Sequence, residues 1–348
     1  MSRCKLEEFI SYEQPSKYIV NNDQYDDSFE IPVLTAGKSF ILGYTDETNN
    51  IFDNLPVIIF DDFTTSVQFV DFPFKVKSSA MKLLKNTEQA DIKYCYYLLK
   101  FLQHTPENHK RQWLSATSQN IVELPTIEKQ KNIVRKLDKI LGVIDNQNKQ
   151  LELLDEAIKA RFVEMFGDPV SNSKDLPVQK MNNVAPICQY DGSFEESVWL
   201  LNLDMVESQT GRIINYNIVS KDEIGGSVCT FDENNVLYSK LRPYLNKVVI
   251  PDGKGYATSE LVPLRPDPKI INRIYLAYLL RSNEFVEMIK EKVAGAKMPR
   301  VSMSDFREFN VPVPLLELQN QFASFVQEID KSRLLSNHSL LLLKSITF

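Results

Sequence analysis

Two stretches of this chain repeat each other at long range. Leu124, Pro125, Ile127, Glu128 and Gln130 open one segment of helical spacing, and Val313, Pro314, Leu316, Glu317 and Gln319 open another with the same internal spacing, 189 residues later. That offset far exceeds the roughly 20 to 50 residues of solenoid units. The chain is therefore a duplicated half-molecule, each half a globular segment followed by one long helix. Two comparable working surfaces follow from that plan, and they suit a bipartite target.

The globular segments read as α+β. In the first, Ile31 to Leu34, Ser39 to Leu42, Pro56 to Phe60 and Ser66 to Val70 form short β-branched or alternating runs. Turn residues separate them, and helical periodicity is expected over Ser78 to Leu84 and Asp91 to Gln103. The second repeats the order, with strands expected near Val198 to Leu203, Arg212 to Ile214, Asn235 to Tyr238 and Lys247 to Ile250, then a helix from Ile271 to Arg281. The domain boundaries that follow are a first globular domain over 1–124, a central helix over 125–166, a second globular domain over 167–311 and a distal helix over 312–348.

Ile133, Leu137, Ile140, Ile144, Leu151, Leu154, Ile158 and Met165 alternate at spacings of three and four, with Gln147 at one seam position. That is a coiled-coil stripe. Pro125 suits its first turn, and Gly167-Asp168-Pro169 stops it. At 1.5 Å per residue, about 39 residues span about 58 Å, the length of a spacer. Phe322, Val326, Ile329, Leu340 and Leu343 fall on the same frame in the distal segment, interrupted at Arg333 and Ser336. Each helix carries one apolar stripe to bury, which favours pairing within the chain; pairing between copies is the alternative.

The 43% hydrophobic and 25% charged content is that of an ordinary globular protein, and neither a run of eighteen apolar residues nor a secretory leader is visible. A cytoplasmic location is expected. Cys4, Cys95, Cys188 and Cys229 are scattered without metal-ligand spacing. The net charge of −6 argues against nucleic acid until its distribution is considered. Glu7 to Asp71 carries 13 acidic and 2 basic residues, but Lys75 to Arg111 carries 8 basic and 3 acidic, and Val236 to Arg300 carries 12 basic and 6 acidic. Each half thus holds a basic stretch.

Enzymatic patterns fail. Gly37-Lys38-Ser39 ends like a phosphate loop, but the upstream glycine position is Pro32, which has no N–H to offer a phosphate. His104, His109 and His338 lie near no nucleophile. Asp61, Asp62 and Asp71 with Lys75 and Lys77 form the best metal-dependent nuclease cluster, against the simpler reading of Asp61-Asp62 as a strand-ending turn. DNA contacts are more coherent. Lys240, Arg242, Tyr244, Asn246 and Lys247 interleave cations with an aromatic, Lys297 and Arg300 make Gly295 to Arg300 a basic loop, and Lys38, Lys75, Lys77 and Lys82 offer counterparts in the first half.

At these motifs the chain resembles the specificity subunits of type I restriction-modification systems. Leu124 to Gln130, the heptad helix and Arg161 to Pro169 are similar to their central spacer, and Val311 to Gln319 to the distal one. Ile31 to Tyr44, Phe60 to Thr65, Tyr238 to Lys247 and Gly295 to Arg300 resemble segments of their target recognition domains. The resemblance implies two such domains in pseudo-twofold repeat, separated by two long antiparallel coiled-coil helices, each domain reading half of a split site in double-stranded DNA. It further implies a non-catalytic chain without a cofactor of its own. Two methyltransferase subunits would dock on the helices and bring S-adenosylmethionine for adenine N6 methylation, and a translocase-nuclease subunit would join for restriction. The rival readings are a coiled-coil adaptor that sequesters partner subunits and the metal-dependent nuclease.

Overall fold

The structure, a computed structural model, describes residues 2–35, 39–106, 111–294 and 298–347. It comprises two compact units, residues 1–146 with 341–348, and residues 147–340. In chain order the first unit holds β1 (Ser2–Lys5), β2 (Ile10–Glu13), β3 (Ile31–Leu34), β4 (Ile41–Thr45), β5 (Val57–Asp61), β6 (Val67–Val70), β7 (Lys75–Val76), β8 (Met81–Asn86), α1 (Ile92–Phe101), α2 (Gln112–Ser115) and β9 (Ile121–Leu124). Helix α3 (Ile127–Phe166) begins in this unit and ends in the second. The second unit continues with β10 (Val178–Lys180), α4 (Met181–Val184), β11 (Ser197–Leu201), β12 (Ile218–Ser220), β13 (Val228–Phe231), β14 (Val236–Ser239), β15 (Val248–Val249), β16 (Gly255–Thr258), β17 (Leu261–Leu264), α5 (Arg273–Arg281), α6 (Asn283–Lys290), β18 (Val293–Ala294), β19 (Arg300–Val301), α7 (Met303–Arg307), β20 (Asn310–Pro312) and α8 (Leu316–Thr347), whose residues from Leu341 on belong to the first unit.

The same pairing plan is built twice. In the first unit β5 pairs antiparallel with β6 and β8, while β3 pairs antiparallel with β4 and parallel with β7. In the second, β14 pairs antiparallel with β15 and β17, while β11 pairs antiparallel with β12 and parallel with β16. Each unit also joins its first strand to its last, β1 to β9 and β10 to β20. The helix expected over Ser78 to Leu84 is strand β8: Leu84 faces Ile58 and Tyr12 across two ladders, and pairing on both edges overrides the helical preference of Met81, Leu83 and Leu84. Arg212 to Ile214 contributes a single bridge, Val206 to Ile213, and no strand.

The repeated glutamines explain why the sequence signature lies at the helix starts. Gln130 and Gln319 are both fully buried. The Gln130 Oε1 accepts from the Asp91 N–H at 2.8 Å, and its Nε2 donates to the carbonyls of Pro125 at 2.8 Å and Gln89 at 3.2 Å. Gln319 does the same with Asn272 at 2.7 Å, Pro314 at 2.8 Å and Ile270 at 3.1 Å. Asp91 and Asn272 are in turn the N-caps of α1 and α5, their side chains accepting from the next turn's N–H groups. One amide thus ties each long helix to its unit's short helix and satisfies backbone groups that burial would otherwise strand.

In the second unit α3 and α8 run antiparallel. Gln147 donates to Ser339 at 3.1 Å, Asp155 bonds Arg333, and Phe162 and Phe166 pack on Phe322 with ring centroids 5.5 and 5.6 Å apart. The buried Arg333 guanidinium also reaches Asp330 at 2.7 Å. Gln147 and Arg333, which break the apolar frame, are thus each met by a polar side chain of the other helix, and such contacts fix register. Of the seam residues, Ile144, Ile158, Phe322, Val326, Ile329 and Leu340 are buried, and Leu137, Ile140, Gln147, Leu151, Leu154 and Leu343 are half-buried. Ile133 departs from expectation: it is 37% exposed, and Val134 packs against the first unit's core in its stead. No helix among the described residues is long and apolar enough to cross a membrane.

Candidate nucleic-acid interface

In the second unit the central strand β14 is buried at all four positions, and its chain must leave the sheet before it can meet a ligand. It does so through a strained loop. Arg242 and Asn246 adopt left-handed backbone with φ of 49° and 50°, on either side of the short turn Pro243 to Leu245. A residue preceding proline favours extended backbone, so Arg242 holds a conformation that costs about 1–3 kcal/mol. The surroundings enforce it. The Arg242 N–H donates to the Pro299 carbonyl at 2.8 Å, the Ser239 hydroxyl to the Leu241 carbonyl at 2.9 Å, and the Gln209 N–H and Nε2 to the carbonyls of Leu245 and Tyr244 at 2.9 and 3.0 Å. Arg242 and Tyr244 are consequently held towards solvent, Tyr244 at 38% exposure.

The rest of that predicted cluster is occupied. Asn246 is buried and donates its amide to the Arg281 carbonyl at 2.9 Å, so it supports the loop and cannot pair with a base. Lys247 is half-buried and donates to the Leu203 carbonyl at 2.6 Å, and burial pushes its ammonium below the usual lysine value. Arg300 grips Glu260 through Nε and Nη2 at 3.1 and 2.8 Å, and its hydrogen bonds hold the Glu260 carboxyl below the usual value against the cost of burial. Lys240 is half-buried, its backbone tied to the Glu260 carbonyl at 3.0 Å. Lys297 lies outside the described residues.

The topologically equivalent loop of the first unit, between β5 and β6, has the opposite character. Asp61 accepts from the Phe63 N–H at 2.9 Å and the Thr64 hydroxyl at 2.6 Å, the Asx turn that its position suggests. Asp62 is turned inward, accepting from the Trp113 N–H at 2.9 Å and facing the Lys82 ammonium at 3.1 Å, with both charged side chains buried. Thr65, left-handed at φ 58°, donates to the His104 carbonyl at 2.7 Å. What the loop presents to solvent is Phe63, 42% exposed, and Thr64 beside it. Arg111 stands beside it, exposed, because the Gln112 N–H donates to the Asp62 carbonyl at 2.8 Å.

The first-unit lysines expected to meet DNA are therefore corrected. Lys75 is 1% exposed, bonded to Glu47 and the Asn49 carbonyl, both at 2.8 Å. Lys82 is fully buried against Asp62. A buried, paired ammonium cannot reach a phosphate. Lys77 is half-buried and pairs with Asp23 over the Tyr25 ring. Lys38 lies outside the described residues. The carboxylates of the nuclease alternative are likewise consumed, Asp61 by its turn and Asp62 by Lys82, and Asp71 is exposed. Among the described residues no group of three His, Cys, Asp or Glu could hold a metal ion. Sequence reasoning missed Phe63 and Arg111; the available signal was an aromatic residue directly after the Asp-Asp turn, where polar residues are usual.

Comparison with known proteins is consistent across the chain. The family model described as Type I restriction modification DNA specificity domain matches residues 204–344. The Type I restriction enzyme EcoR124I/EcoR124II specificity subunit of Escherichia coli is 45% identical over 93% of this chain and 85% of its own length. The EcoDI specificity subunit of the same organism is 27% identical over 36% of this chain and 27% of its own. The fold matches the S subunit of a Type-I restriction-modification system from M. genitalium with a TM-score of 0.59 at 13% identity, covering 99% of this chain and 93% of that one. It also matches, with a TM-score of 0.54 at 14% identity, a chain from a structural study of type I R-M complex assembly, covering 99% of this chain and 95% of that one.

Proposed function

The chain belongs to the family of type I restriction-modification specificity subunits, and on that premise we propose that its two units read the two halves of a split DNA sequence while the long helices set the gap between them. The observation that carries this reading is the duplicated ladder, which places an outward loop after the central strand of each unit. In the second unit Arg242 supplies a phosphate or guanine contact and Tyr244 an aromatic face. Lys240 adds positive charge beside them.

The chain itself is non-catalytic. Two methyltransferase subunits dock on the helices, where Leu153 and Val163 of α3 and Leu334 of α8 expose apolar surface at 53%, 51% and 71%. They bring S-adenosylmethionine and transfer its methyl group to adenine N6, and a translocase-nuclease subunit joins for restriction. Because the chain is acidic overall, it relies on those partners for much of the phosphate contact.

Matched heptads inserted in α3 between Ile140 and Leu154 and in α8 test the spacer role. Each adds about 10 Å of helix, close to three base pairs of B-DNA. Methylome mapping of cells that co-express the lengthened chain with its methyltransferase subunit should return the same half-sites with a wider gap. An unchanged gap would remove the spacer from the account.

A further inference from the structure

The first unit's loop offers DNA no charged group of its own. Both carboxylates are turned inward and paired, the Thr64 and Thr65 hydroxyls donate within the protein, and the nearest lysine, Lys82, is buried. What remains outside is Thr64, its hydroxyl donated to Asp61, and one aromatic ring, Phe63, held out on a turn fixed by Asp61 below it, by Asp62 bonded to Trp113, and by Thr65 bonded to His104. The equivalent loop of the second unit independently exposes one aromatic, Tyr244, at 38% against 42% for Phe63.

We propose, resting on the reading of the two units as half-site readers, that Phe63 is the specificity-determining residue of the first unit and reads a thymine through its 5-methyl group. The thymine methyl is the apolar feature of the major-groove code, so a ring without donors discriminates there by contact and by exclusion of water. Arg111, exposed beside the loop with no acidic partner within ion-pair distance among the described residues, supplies the adjacent phosphate contact. The buried Asp62–Lys82 pair positions the ring and touches no DNA.

The test uses the whole chain in complex with its methyltransferase subunits and a duplex bearing the methylome-mapped motif. Each thymine of the first half-site is replaced in turn by deoxyuridine, which lacks only the methyl. Wild-type binding should weaken about fourfold at one position, the worth of one buried methyl. Phe63→Ala should weaken cognate binding about tenfold, leave non-cognate binding unchanged and lose the deoxyuridine effect. Phe63→Leu should restore part of the affinity. A first half-site without thymine in either strand overturns the proposal at once, as does a Phe63→Ala complex that keeps wild-type affinity, or one that stays sensitive to deoxyuridine. A wild-type complex that selects no split sequence instead removes the underlying reading, which separates the two failures.

Discussion

The loops that follow β5 and β14 occupy the same place in the duplicated ladder and solve opposite problems. After β14, strain at Arg242 and Asn246 turns a cation and an aromatic outward, with neighbouring backbone groups bracing the loop. After β5, two aspartates turn inward and spend their charge on the protein, leaving an aromatic and an uncharged threonine outside. The core ladder and the glutamine tie are shared, whereas the charge borne by the outward loop is not. A fold duplicated in this way can present unlike chemistry to the two halves of one target without altering how either unit is held together.

The largest expected effect breaks the first loop. Asp62→Ala leaves the Lys82 ammonium buried without its partner and should cost about 3–5 kcal/mol in denaturant unfolding, most of it recovered in Asp62→Ala with Lys82→Met. A loss below about 1 kcal/mol would mean that the inward pair does not hold the turn. Next, Gln130→Ala and Gln319→Ala each strand a buried N-cap N–H and two carbonyls, at about 2–3 kcal/mol apiece. If the two costs differed by more than about 1 kcal/mol, the shared frame would be less symmetric than its hydrogen bonds.

On the functional side, Arg242→Ala should cost about 1–3 kcal/mol in cognate DNA binding by the assembled complex. Arg300→Ala should cost less, because Glu260 already engages that guanidinium; fluorescence-anisotropy titrations that reversed this order would move the contact from one arginine to the other. The smallest effect concerns pH. The folded Glu260 carboxyl lies below its ordinary value of 4.5 because Arg300 bonds its charged form. Its contribution to stability is therefore present above that pH and is lost as pH falls through the lowered value. Glu260→Gln should flatten that part of the acid limb by under about 1 kcal/mol, since the pair is partly solvated. An acid limb of unchanged slope would assign it to other carboxylates.

The parts legible in the sequence were those encoded by local pattern. Gln130 and Gln319 stand at matching places before matching heptads, and Ile31 to Leu34 forms a strand at the limits its β-branched run suggests. Asp91 and Asn272 cap α1 and α5 where helical periodicity begins. The lysines misled because burial is set by partners distant in sequence: Lys75 meets Glu47 and Lys82 meets Asp62 only once the sheets form. Met81 to Leu84 misled for the same reason, since cross-strand neighbours decide such a segment more than its own propensity does. Tyr244 and Arg242 were singled out because the cluster around them is basic over several residues, and the structure leaves both exposed. Phe63 was hidden behind two aspartates that read as a strand-ending turn or as part of a metal cluster, and that in fact face the protein.

Two units that read separate halves of one sequence can be altered one half at a time. Long-read methylome mapping tests this most directly, in a methylation-free host co-expressing the methyltransferase subunit with the wild-type chain, Phe63→Ala or Arg242→Ala. The expected result is a split motif methylated on adenine, with Phe63→Ala relaxing only one half and Arg242→Ala only the other. A continuous motif, or both substitutions relaxing the same half, would contradict it.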